Sequence, residues 1–178
     1  MDADQLIAQL NNLGLRYLIG EKIVVNEEVV SPDRLLAALS GHPDARIRHA
    51  LIALLLFRPD FSDFANNAIE HLTEDEKFRF KFQYTAAMLL QQIHTTRLRQ
   101  YVNNWIYIPD RFSMYLQLPE TGTPWERLQK LAELQRNESG LTVNWAGTYN
   151  NIAERLITRF ESELAWAVWP QTRSEISS

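Results

Sequence analysis

The stretch His42-Pro-Asp-Ala-Arg-Ile-Arg-His-Ala-Leu-Ile-Ala-Leu-Leu-Leu-Phe57 opens polar and closes on apolar residues only, Ala50 to Phe57. Pro43 has a backbone angle suited to the first turn of a helix, where its missing N–H is not needed. Asp44 adds a negative charge near the positive end of the helix dipole. Neither Gly nor Pro interrupts the run before Arg58-Pro59. A helix that is apolar on every side must be surrounded by other elements. The apolar run is far shorter than the roughly 20 residues that cross a bilayer. It therefore predicts the buried central helix of a mainly α-helical domain.

Working outward, Ser31-Pro32 reads as an N-cap followed by Pro at the first helical position. Leu35, Leu36 and Leu39 give that helix a buried face, and Gly41 is expected to end it. The helices over 32–40 and 43–57 then form a helical hairpin. Arg58-Pro59-Asp60 echoes His42-Pro43-Asp44 and predicts a similar turn into a third helix over roughly 62–72. Upstream, Leu6, Ile7, Leu10 and Leu13 recur at helical spacing, and Gly14 suits a helix C-terminus. The β-prone segments Arg16–Ile19 and Lys22–Val25, joined by Gly20-Glu21, predict a small N-terminal β-hairpin.

Downstream, Thr73-Glu-Asp-Glu76 has the form of a capping box. The next stretch, Phe78-Arg-Phe-Lys-Phe-Gln-Tyr84, alternates with period two, which alone argues strand. The cap and the helix-forming residues from Ala86 to Ile93 argue instead for one helix over 74–93, with Phe78 and Phe82 stacked at i, i+4. Helical character is expected to resume through Leu98, Tyr101, Val102 and Trp105. Residues 106–123 read as irregular, with a short helix near Phe112–Leu116. Thr123-Pro-Trp-Glu126 is a second capping box, and Asn137 to Gly140 breaks the helix it opens. Asn144 caps a last helix carrying Trp145, Tyr149, Ile152, Leu156, Phe160 and Leu164, with Pro170 expected to end it.

The 178 residues fit one domain with a real core: an N-terminal helix and hairpin over 1–30, a helical core over 31–170 and a frayed tail over 171–178. Leu51, Leu54, Leu55, Phe78, Phe82, Leu89, Trp125, Leu128, Leu156 and Phe160 are the expected core. The chain has no cysteine, which excludes disulfides and thiolate chemistry. The opening Met-Asp-Ala-Asp lacks the regions of a secretory signal, so a cytoplasmic location is expected, with no membrane contact.

The chemistry-bearing residues are scattered. His42, His49, His71 and His94 show no metal-ligand spacing. Neither a P-loop nor a nucleophile elbow occurs. Glu74, Asp75 and Glu76 are better explained by the helix start than by catalysis. No metal, cofactor or catalytic residue is assigned, and the chain is not expected to be an enzyme; the rival is an enzyme whose site is assembled only by the fold. The strongest charge feature runs from Lys77 to Arg111. It holds Lys77, Arg79, Lys81, Arg97, Arg99 and Arg111 against Asp110 alone, inside a chain of net charge −4. Cations interleaved with Phe and Tyr suit nucleic acid, and they suit an acidic protein equally well.

Pro43-Asp44-Ala45-Arg46-Ile47-Arg48-His49-Ala50 through Leu54 resembles the second-helix start of a HEAT-type repeat, which implies a helical interaction scaffold. The order of Leu13–Gly20, His42-Pro-Asp, Ile108-Pro-Asp-Arg-Phe-Ser113 and Asn144-Trp145 is similar to an uncharacterised bacterial all-helical family found alongside nucleotidyltransferase-like proteins. Leu13 to Gly20 also looks like the opening of a nucleotidyltransferase domain. However, Glu21-Lys22 stands where such domains place the Gly-Ser that holds phosphate, and paired metal-binding acids do not follow. The resemblance therefore implies a companion of such an enzyme, an adaptor or neutralising subunit.

The functional expectation is a protein–protein interaction module. Arg97, Arg99, Tyr101, Trp105, Tyr107 and Arg111 are the expected partner-binding residues, being hot-spot types beside a long irregular loop. Nucleic-acid binding through the Lys77–Arg111 stretch is the alternative. A homo-oligomer is compatible with either.

Overall fold

The computed structural model describes residues 1–18 and 29–174, with side chains through residue 165. Its centre is the helix α3 (Ala45–Phe57). Asp44 caps it, its Oδ1 accepting the N–H of Arg46 at 2.8 Å. The Arg48 guanidinium reaches back to donate to the His42 carbonyl at 2.8 Å, which fixes the angle of entry. Every residue from Ala50 to Leu56 is sealed from solvent.

Around α3 stand α1 (Ala3–Asn12), α2 (Pro32–Gly41), a 3₁₀ turn (Pro59–Phe64) running into α4 (Ala65–Glu70), and α5 (Glu74–Ile93). They are followed by α6 (Thr95–Leu98), α7 (Pro124–Ser139) and α8 (Trp145–Ser174). The α3–α5 and α5–α7 pairs pack most extensively; α2 and α8 each lie against α3, and α7 closes onto α8. The fold is an irregular, mainly α-helical bundle. One continuous cluster of buried side chains joins Leu6 of α1 to Ile157 of α8.

The alternating segment 78–84 is helical. Phe78 and Phe82 meet edge to face at 4.8 Å between centroids, and Phe80 tilts against Tyr84 at 6.2 Å. The capping box of α7 forms, with the N–H of Glu126 donating to Thr123 Oγ1 at 3.2 Å and the N–H of Thr123 donating to Glu126 Oε2 at 2.7 Å. Asn144 caps α8 through the N–H of Gly147 at 3.0 Å.

Several expectations are corrected. No strand occurs among the described residues. The proposed hairpin falls mostly on 19–28, outside them, while Leu15 to Tyr17 are irregular. The echo at Arg58-Pro59-Asp60 does not open a helix as His42-Pro43-Asp44 does. Arg58 grips the Asp60 carboxylate with two bonds, at 2.9 and 2.7 Å, so that carboxylate does not serve as a cap, and a 3₁₀ turn precedes the short α4. Helical character beyond Ile93 extends only to Leu98, and 112–117 form turns rather than a helix.

Pro170 does not end α8; a proline removes one N–H from a helix ladder and kinks it without necessarily breaking it. Of the expected core, Phe78 and Phe160 are half-buried against the main cluster. Trp125 is 40% exposed. It shares a face with Leu128 and Leu131 but sits in the first turn of α7, where the preceding chain, 119–123, is itself exposed.

Candidate interaction surface

The irregular segment after α6 is laid along α5 as a strap. Gln91 lies buried on α5 and meets it first: its Nε2 donates to the Ile106 carbonyl and its Oε1 accepts the Ile108 N–H, both at 2.8 Å. A side-chain amide thus replaces the partner that this extended backbone would find in a sheet. Nearer the start of α5, the Tyr84 hydroxyl donates to the Pro109 carbonyl at 3.0 Å. Burial pushes that phenol up to about 12, against the smaller opposing influence of Arg111, so it stays a neutral donor. Phe112 then seats edge to face on Tyr84 at 5.0 Å and on Phe80 at 6.2 Å.

Lys81 ends the series, its Nζ 3.2 Å from the centroid of the Tyr115 ring. The strap therefore runs antiparallel to α5 from Gln91 to Lys81, roughly 15 Å at the rise of an α-helix. From α7, Arg127 fastens the far end, donating to the Pro119 carbonyl at 2.9 Å and to Ser113 Oγ at 3.1 Å. Ile108, Phe112, Leu116 and Leu118 are buried beneath the strap.

The opposite side of the strap faces solvent. Ile106, Tyr107, Met114 and Tyr115 are exposed, Met114 at 91%. Isolated exposed apolar residues are ordinary; several on one braced segment make this side of the strap the candidate interaction surface.

The six residues expected to bind a partner fall into three settings. Arg99, Trp105 and Tyr107 form a chain: the guanidinium lies 5.9 Å from the Trp105 ring, and Trp105 meets Tyr107 edge to face at 5.8 Å. Arg97 and Tyr101 turn instead to α8. Arg97 is bonded to Glu154 at 2.9 Å and to Glu161 at 3.0 Å, and Tyr101 stacks on Phe160 at 5.4 Å. Arg111 points inward, 3.7 Å from Asp63. Arg99, Trp105 and Tyr107 thus continue the strap surface, whereas Arg97, Tyr101 and Arg111 hold elements together.

Ile106, Met114 and Tyr115 are the surface residues that sequence reading missed. The signal was Gln91, one of two glutamines in the otherwise apolar run Ala86 to Ile93. The cations of the basic stretch are largely engaged as well: Lys77 pairs with Glu74 at 2.7 Å, and Lys81, Arg97 and Arg111 have the partners given above. Arg79, Lys81 and Arg99 make no ion pair with a carboxylate among the described residues.

Among the described residues no three of His, Cys, Asp and Glu gather as metal ligands would, and no helix is long and apolar enough to cross a membrane. Compared with protein-family models, curated proteins and solved structures, the chain matches none.

Proposed function

We propose that the chain is a cytoplasmic protein-binding module whose contact surface is the strap, with Arg99, Trp105, Ile106, Tyr107, Met114 and Tyr115 meeting the partner. One observation carries the reading. The strap is fixed from below by buried polar and aromatic anchors and displays large apolar side chains above. A surface held in place before binding loses little entropy when a partner arrives, and Trp, Tyr and Arg are the residue types that dominate interface energetics.

The nucleic-acid alternative draws less support. Log affinity for duplex DNA falls with log salt at a slope of about −0.9 per phosphate neutralised. Three cations of the stretch without a carboxylate ion pair among the described residues, Arg79, Lys81 and Arg99, offer few such contacts. The resemblance to companions of nucleotidyltransferase-like proteins makes such a protein the first partner to test, with the chain as its adaptor or neutralising subunit.

The test is co-purification from the native host with and without nuclease. A defined protein partner should survive nuclease and be lost when Tyr107 and Met114 are both changed to Asp. These side chains are exposed, so the double variant should remain folded. Recovery of nucleic acid alone, abolished by Arg79→Glu with Arg99→Glu, would replace this reading with the nucleic-acid one.

A further inference from the structure

Away from the strap, a cleft of about 890 Å³ opens between the chain after α1, the first turn of α3 and the middle of α8. It shares no residue with the strap surface. Its floor is apolar: Ile7 and Ile47 are buried there, and Leu18 packs against the same core. Its polar wall brings together Tyr17, His49 and Arg155. The Arg155 guanidinium lies 5.8 Å from the centre of the Tyr17 ring.

The carboxylates in the cleft are already paired with arginines other than Arg155. Glu154 is bonded to Arg97 at 2.9 Å and Glu163 to Arg159 at 3.1 Å. Arg155 has no carboxylate partner among the described residues, and neither the His49 ring nor the Tyr17 hydroxyl has a hydrogen-bond partner among them. Among the described residues, three polar groups with unused bonding capacity therefore converge beside an apolar floor, with one positive charge that no described carboxylate pairs. Small-molecule sites have this composition and a volume of roughly 300–1,000 Å³.

We propose that this cleft binds a small organic anion, an apolar body on Ile7, Leu18 and Ile47 with a phosphate or carboxylate head held by Arg155, Tyr17 and His49. A guanidinium forks onto either head group. The phenol donates a further bond, and burial, opposed only in part by Arg155, keeps it protonated. The imidazole is held below its ordinary value, first by burial and then by Arg48 and Arg155, against a smaller raising influence from Asp44. Its neutral form is thereby favoured, and that form can donate one N–H. An anion lodged beside it favours its protonated form, so binding and the titration of His49 are linked.

The probes are phenyl phosphate, benzoate and neutral benzyl alcohol, followed through the His49 ring protons by NMR and by calorimetry. Phenyl phosphate should bind and raise the midpoint of the His49 titration. Arg155→Gln, a change at an exposed side chain, should weaken binding about tenfold or more. Tyr17→Phe should weaken it by a smaller factor. Binding of benzoate as well would assign the site to anionic heads in general, and its failure to bind would restrict the site to phosphates. Three results would each overturn the proposal: no binding of either anion at millimolar concentration, equal binding by wild type and Arg155→Gln, or benzyl alcohol binding as tightly as the anions.

Discussion

Gln91 shows how one side chain decides the character of a surface. Its amide supplies both a donor and an acceptor to the backbone on either side of Tyr107, in a setting where apolar replacement leaves two backbone groups without partners. Gln91→Leu should therefore cost about 1–3 kcal/mol and, in the proposed reading, weaken partner binding while Tyr107 and Met114 remain present. Urea denaturation reads the first effect and the co-purification assay the second. Gln117 is the opposite case. It occupies the left-handed region at φ +54°, a conformation that costs a non-glycine residue roughly 1–2 kcal/mol. Gln117→Gly should leave stability unchanged or raise it by up to about 1 kcal/mol, since the added freedom of the unfolded chain offsets the relief of strain. His49 adds a pH dependence. Its pKa is lowered in the folded protein, so the unfolded chain takes up its proton first as pH falls. Its contribution to stability is thus present above about 6.5, the ordinary histidine value, and is lost as pH falls through the folded value. Urea midpoints at pH 7.5 and 5.5 should diverge more in wild type than in His49→Gln.

At the scale of elements, the caps separate what sequence makes legible from what it does not. Both Thr123 and Ser31 precede a proline and read as N-caps. Thr123 is one, closing a reciprocal box with Glu126, so Thr123→Ala should cost about 1 kcal/mol. Ser31 makes no cap bond to the helix backbone; its side chain acts instead on Asp33, whose pKa it lowers together with His71. Ser31→Ala should cost only a few tenths of a kcal/mol, and paired thermal melts of the two variants would expose the contrast. The same logic explains the failed echo at Asp60, whose carboxylate Arg58 captures before it can cap anything. Local pattern identified α3, the helix over 74–93 and the opening of α7, because apolar periodicity and capping residues act within a few positions. It did not reveal the internal contacts of Arg97, Tyr101 and Arg111, because Glu154, Phe160 and Asp63 lie on elements that only the fold brings close. The cleft was invisible for the same reason: Tyr17, His49 and Arg155 come from three separate parts of the chain.

At the scale of the molecule, the arrangement places every long helix in contact with one buried cluster, and α3 lies at its middle. Aromatic rings extend that cluster to its edge. Phe57 at the end of α3 meets Phe160 of α8 at 5.5 Å, and Phe160 meets Tyr101 at 5.4 Å, so the last helix is locked to both the centre and the chain leading into the strap. Beyond Phe160, residues 161–165 of α8 are exposed and add little to this cluster. A core shared in this way predicts a single cooperative transition, in which helix content and tryptophan environment are lost together. Leu54 is sealed at its centre. Leu54→Ala removes buried methyl groups and leaves a cavity, for a loss of about 2–5 kcal/mol, and it should shift the circular dichroism and fluorescence transitions by the same amount. Every tryptophan lies at position 105 or beyond, so if the fluorescence transition stayed in place while the circular dichroism transition shifted, the tryptophan-bearing part of the chain would have to unfold separately from α3, and the strap would rest on a unit independent of the central helix. Coincident shifts would instead tie the rigidity of the strap, and with it the proposed binding surface, to the packing around Ala50–Phe57.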